Sequence, residues 1–274
     1  MNLTEALKLK ELKSVFHEND IEEYMYNALS KEDIDFIVEA PLSMKLELDY
    51  TSEIAKKRAT SVSSAFKIAL GIFVSNRPRW VSTGATYLDD TIFNKSKIEE
   101  VMLTREMMSD TTKLFTETVE DIYKITHSIP RISSNAVTLA FFEAYFNTGF
   151  YPKDMSVMYK DTPEHEAMVK EIDKLIISEL SSPNSLYQLF HNDIPVPLQF
   201  NKEYDITVGS LKLKAHPYLT IDNKTILDVK TTASVKSVFE DLKHLMYIAK
   251  DSHQIEKVTL YYPRYRKMIT IRVR

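Results

Sequence analysis

Cysteine is absent from this chain of 274 residues. That absence excludes disulfide bonds and thiolate metal sites, and it leaves the redox compartment unread. Long apolar runs are missing as well. The most apolar stretch, AFKIALGIFV, has ten residues, about half of the ~20 that a membrane-spanning helix needs. The opening MNLTEALKLKELK mixes acids and bases and has no apolar core region, so it does not read as a secretory signal. There is no internal repeat and no low-complexity tract. Together these absences predict an intracellular, soluble protein with no membrane partner.

Hydrophobic residues make up 44% of the chain and charged residues 27%, the ordinary balance of a soluble globular protein. The length fits one or two domains with a sizeable core. A net charge of −4 says nothing of nucleic acid, but the average hides an asymmetry. Residues 1–150 carry 17 basic and 23 acidic side chains, whereas residues 206–274 carry 13 and 6. A basic end on an acidic chain suits a phosphate-bearing partner held by one part of the fold.

The first 150 residues read as helices. Ser30 to Asp33 has the form of an N-terminal cap before DIDFIVEA, because short polar side chains accept from the free N–H groups of a first turn. In residues 96–127, Ile98, Val101, Met102, Met108, Leu114, Val119 and Ile122 recur at roughly helical spacing, with a break near Ser109-Asp110. SSNAVTLAFFEAYFNTGF predicts a largely buried helix ended by Gly149. This helical region, 1–150, is the surface left for protein partners.

After a connection over Gly149–Pro163 the pattern changes, and 151–274 reads as a second domain. Thr162-Pro163 predicts a helix start, with threonine as cap and proline where its missing N–H costs nothing. PLQFNKEYDITV and KAHPYLTIDNKTILDVKTT follow as strands, then a helix from Ala233 to about Lys250, then KVTLYYP and KMITIRV. In KAHPYLTIDNKTILDVKTT a three-residue turn, Asp222-Asn223-Lys224, puts Tyr218 opposite Asp228 and His216 opposite Lys230. One face then carries Leu213, Ala215, Pro217, Leu219, Ile221, Leu227 and Val229. The other carries Lys212, Lys214, His216, Tyr218, Thr220, Asp228 and Lys230. A two-residue turn would slip the register by one and mix the faces.

Pro217-Tyr218 with the triplet Asp228-Val229-Lys230 resembles the PD-(D/E)XK, or restriction-endonuclease-like, superfamily of phosphodiesterases. ILDVKTT is most similar to its RecB-like and viral or phage exonuclease branches. The resemblance covers residues 163–274 and implies a mixed α+β fold. A helical N-terminal region precedes an αβββαββ sandwich with a central mixed sheet. It implies Asp228 and Lys230 as catalytic residues, with Asp228 and the Val229 carbonyl on Mg²⁺ or Mn²⁺. It further implies a DNA partner, metal-dependent phosphodiester hydrolysis if the site is active, and a virus- or phage-encoded protein. Tyr218 departs from the pattern, for it stands where the family has its first metal-binding aspartate.

A divalent metal lowers the pKa of a bound water and stabilises charge on a phosphate, and magnesium takes oxygen ligands, chiefly carboxylates. A tyrosine hydroxyl, with a pKa of about 10, is a neutral and poor ligand for a hard cation. The resemblance offers His165 and Glu171, on the helix from Thr162, as substitute ligands. His216, an imidazole on the polar face of the hairpin, is a third. For DNA contact the candidates are Lys212 and Lys214 on the hairpin and the helical stripe Lys236, Lys243, Tyr247 and Lys250. There the family tends to carry Gln-x-x-x-Tyr, and Lys243 replaces the glutamine. The second reading of the same residues is a nuclease-like fold without catalysis, a DNA-binding or structural component of a virus or phage particle.

Overall fold

The computed structural model describes residues 1–9, 12, 15–16, 21, 24–25, 34–36, 59–75, 87–94, 109–124, 128–148, 155–181, 185–186, 197–231 and 238–273. It is a mixed α+β protein. By internal contacts it divides into two compact units, Met44–Pro195 and a discontinuous one made of Met1–Ser43 and Val196–Arg274. The division does not fall at 150/151. The helix beginning at Pro163 belongs to the first of these, because it packs on two helices of that unit, Ala59–Ser75 and Ile129–Thr148.

That helical unit contains α2 (Ala59–Ser75), α3 (Ser109–Lys124), α4 (Ile129–Thr148) and α5 (Pro163–Ser181). The apolar run of the sequence lies inside α2, where every side chain from Ile68 to Ser75 is buried. Helix α3 begins at Ser109, where the periodicity breaks. Phe115 of α3 meets Phe142 and Phe146 of α4 at centroid distances of 4.6 and 5.3 Å, an aromatic knot that ties the two helices. The start of α5 follows its sequence signal. The Thr162 hydroxyl accepts from the His165 N–H at 3.2 Å, and Pro163 opens the helix. Among the described residues no helix is long and apolar enough to cross a membrane.

The other unit opens with a short helix, α1 (Leu3–Ala6), and strand β1 (Ile34–Phe36). The strand corrects the helix expected over DIDFIVEA, whose proposed cap at 30–33 lies outside the described residues. Ile34–Phe36 pairs antiparallel with Ile269–Ile271, so a distant sheet edge overrides the local pattern. The rest comprises β2 (Leu198–Phe200), β3 (Tyr204–Val208), β4 (Leu211–Ala215), β5 (Leu219–Ile221), β6 (Thr225–Val229), α6 (Val238–Asp251), β7 (Lys257–Tyr262) and β8 (Lys267–Arg272). Six strands form one mixed sheet in the order β1-β8-β7-β6-β5-β2, and β3-β4 pair separately. Among the described strands only β6 and β7 run parallel, joined through α6.

The β5-β6 register is the one the alternation predicts. Leu219 faces Leu227, Thr220 faces Ile226 and Ile221 faces Thr225. Asp222 and Asn223 take the left-handed conformation that their short polar side chains tolerate, at φ 51° and 56°, and Lys224 N–H closes the turn onto Ile221 O. The first arm of this hairpin, however, is two strands rather than one. It breaks at His216-Pro217-Tyr218, so β4 leaves the main sheet to pair with β3. The β3-β4 hairpin packs with α6: Ile206, Val208, Leu213 and Ala215 share one core with Leu242, Leu245, Met246 and Ile248 of the helix and with Ile226, Val258 and Leu260.

Candidate active site

Asp228 is the penultimate residue of β6 and Lys230 lies one residue past its end, so both side chains leave the same face of the sheet. That face is not open to solvent. Ile226, Leu260 and Tyr262 on it pack against α6, and Asp228 is only 5% exposed. The parallel pairing sets Asp228 beside Leu260 and Val229 beside Tyr261. One further bond, Lys230 N–H to Tyr261 O at 2.8 Å, carries the pairing past the strand end towards Tyr262. Helix α6 supplies the remaining groups, Asp241 and His244, which stand about one turn apart.

The polar atoms close on each other. Lys230 Nζ lies 2.8 Å from Asp228 Oδ2, and His244 Nε2 lies 3.3 Å from the same oxygen. The Tyr262 hydroxyl donates to Asp241 Oδ2 at 2.7 Å. Burial opposes the charge on Lys230, but the charge of Asp228 and its hydrogen bond outweigh that, and with help from Asp241 they hold the ammonium above its ordinary range. Burial, then the hydrogen bond and charge of Asp241 and the charge of Asp228, push the Tyr262 phenol far upward. The Asp228 carboxylate is thus held by the Lys230 ammonium and the His244 imidazole, and the Asp241 carboxylate accepts from the Tyr262 phenol. Such an arrangement fixes geometry and holds charge in a poorly hydrated place.

Several residues singled out in the sequence have partners of their own. The Tyr218 ring is buried edge-on against Phe200, with centroids 5.8 Å apart. His216 does not pair with Lys230. Its Nδ1 is 3.3 Å from Asn201 O and its Nε2 is 3.8 Å from Glu203, because the arm carrying it has left the main sheet. His165 and Glu171 are buried in the helical unit. There His165 Nδ1 meets Val157 O at 2.7 Å and Nε2 meets Ser134 Oγ at 2.9 Å. Both ring nitrogens of His165 are therefore engaged within that unit. Glu171 Oε1 is 3.6 Å from Lys174, and its Oε2 is buried without a hydrogen bond.

The expected DNA-contact residues also divide. Lys212 and Lys250 are exposed and Lys243 is half-buried, while Lys214 is tied to Glu203 and Asp205. Tyr247 is a correction. It is 4% exposed, its ring meets Phe16 at 5.7 Å and its hydroxyl reaches Phe16 O at 3.4 Å, so it belongs to the core and not to an open stripe. Lys236 lies outside the described residues. Sequence reasoning missed His244, Asp241 and Tyr262. The available signal was Asp241 and His244 three residues apart on the helix that directly follows the triplet, a spacing that puts them on one side.

The metal that the resemblance implies does not fit these donors. Tyr218 supplies no anion, Asp228 Oδ2 is shared by Lys230 and His244, and Asp241 Oδ2 takes the Tyr262 hydrogen bond. Among the described residues no group of three or more histidine, aspartate or glutamate side chains is placed to hold a metal ion. Compared with models of known protein families, with curated proteins and with solved structures, the chain matches none.

Proposed function

We propose that this chain is a PD-(D/E)XK-like protein that engages DNA and keeps the nuclease scaffold without its hydrolytic metal centre. Strand order supports the scaffold reading. With the β3-β4 hairpin set aside, β2, β5 and β6 run as three antiparallel strands, α6 crosses over, β7 returns parallel to β6, and β8 turns back. The D-x-K triplet then falls at the end of β6, where the resemblance implies it. The observation that carries the non-hydrolytic reading is the Asp228 carboxylate, bound by Lys230 and His244 while an aromatic ring occupies position 218. The DNA reading draws on the basic excess of residues 206–274. Lys212 and Lys250 are exposed, and Arg266 and Lys267 follow the β7 end. A structural role in a virus or phage particle belongs to the same proposal.

The test is a binding and cleavage series on labelled single-stranded and duplex DNA, in chelator and again in Mn²⁺. Retention of intact DNA in both conditions is expected. Cleavage in Mn²⁺ that Asp228→Asn abolishes would restore the hydrolase, and no retention in either condition would remove DNA as the partner.

A further inference from the structure

We infer that Ser134 and His165 form a nucleophile–base pair in the helical unit that cleaves small carboxylic esters, an activity that draws nothing from the β6 end. Val157 O is a carbonyl oxygen and can only accept, so its bond with His165 Nδ1 at 2.7 Å puts the ring proton on Nδ1. The buried neutral imidazole then presents the lone pair of Nε2 to Ser134 Oγ at 2.9 Å, and the hydroxyl donates to it. Nucleophile, base and orienting acceptor thus stand in the order on which an activated serine depends. The acceptor is itself held in place. Val157 lies in the short turn Ser156–Met158, where Met158 O accepts from the Thr138 hydroxyl of α4 at 3.2 Å and Ser156 O from the Thr162 hydroxyl at 2.5 Å. Hydroxyls inside helices commonly fall back on the carbonyl four residues earlier, as Thr116 and Thr118 do in α3. Ser134 instead reaches from α4 to a histidine of α5. His165 is 2% exposed and so kept from bulk water, while Ser134 is only half-buried and leaves its oxygen a way to a substrate.

In the reaction Ser134 Oγ bonds to the ester carbonyl carbon while its proton passes to His165 Nε2. The bond from that carbon to the alkoxy oxygen then breaks, and His165 returns the proton to the departing alkoxide. Water repeats the sequence on the acyl-serine, so one ester and one water give one acid and one alcohol. The test uses a fluorophosphonate, which bonds to an activated serine oxygen with loss of fluoride, and p-nitrophenyl acetate as the ester. On the native chain the expected results are an adduct mapped by mass spectrometry to Ser134 and ester turnover above buffer, both gone in Ser134→Ala. His165→Gln should slow the labelling at least about 100-fold, as loss of a general base does. A native chain left unlabelled at Ser134, or ester turnover that Ser134→Ala keeps, overturns the inference. Should His165→Gln not fold, Ser134→Cys decides, because the chain has no cysteine of its own. Alkylation of that single thiol by iodoacetamide at pH 7, at least about tenfold faster than free cysteine, upholds the inference, since a neighbouring imidazole draws the proton away. A rate no greater than that of free cysteine overturns it.

Discussion

One of the four glycines, Gly71, lies in α2 against the Tyr87 ring. A Cβ built there would sit inside van der Waals contact of Tyr87 Cγ, Cδ2 and Cε2, ring atoms that cannot swing away as a flexible chain end could. Gly71→Ala is therefore expected to destabilise the helical unit by about 1–3 kcal/mol, the usual cost of overpacking. Equilibrium unfolding measures it, and Gly71→Ala combined with Tyr87→Leu should recover part of the loss; a neutral Gly71→Ala would show that the ring has room to move. His165 gives a second prediction at this scale. Burial lowers its pKa, the hydrogen bond to Val157 works the other way, Lys160 adds to the lowering, and Asp161 and Glu166 oppose it. With the folded pKa below the unfolded value of about 6.5, the unfolded chain takes up the proton first. Stability tied to His165 is then complete above about pH 6.5 and is lost as pH falls below it. The stability difference between the native chain and His165→Gln should shrink from about pH 7.5 to pH 5. A difference constant over that interval would mean that His165 keeps its ordinary affinity for protons.

Elements were legible where a local rule decides them. Thr162-Pro163 marks the start of α5, and period-two alternation with Asp222-Asn223 fixes the β5-β6 register. They were not legible where distant chain decides. Nothing in IDF announces that it will pair with Ile269–Ile271, and nothing in the hairpin arm announces that β4 will leave the main sheet to pair with β3. The site shows the same limit: Asp228 and Lys230 stand out as a triplet, whereas Asp241, His244 and Tyr262 acquire meaning only once α6 lies over the strand ends. Helix α6 is the clearest case. Read alone it has an apolar side and a lysine-tyrosine side, but Phe16 packs against Tyr247, which becomes core. Tyr247→Ala should therefore cost about 3–5 kcal/mol, as large aromatic truncations in cores do. Tyr247→Phe should cost about 1 kcal/mol, far less, since it keeps the buried ring and gives up the long hydrogen bond to Phe16 O. An exposed DNA-contact tyrosine would behave otherwise, with little change in unfolding free energy for either variant and a loss of DNA affinity for both.

Across the whole chain the charge is sorted by sequence position. The sheet unit gathers its cations in its second segment, Val196–Arg274, while the acidic excess lies in residues 1–150. Lys214 is neutralised by Glu203 and Asp205, so the count of basic residues overstates what a polyanion would meet. Lys212 on β4 and Lys250 at the end of α6 are the exposed cations to test. Each phosphate neutralised releases condensed counterions, so DNA affinity should fall linearly on a double-logarithmic plot against salt, with a slope of about −0.9 per phosphate contact on duplex. Lys212→Glu and Lys250→Glu should each weaken binding to unrelated DNA sequences by the same factor and make the slope shallower by about one contact. Both side chains are exposed, so unfolding free energies should stay within about 0.5 kcal/mol of native, which separates lost contact from lost fold. Should the slope remain unchanged in both variants while binding persists, the DNA would be touching some other surface, and the basic end of the chain would be a feature of composition alone.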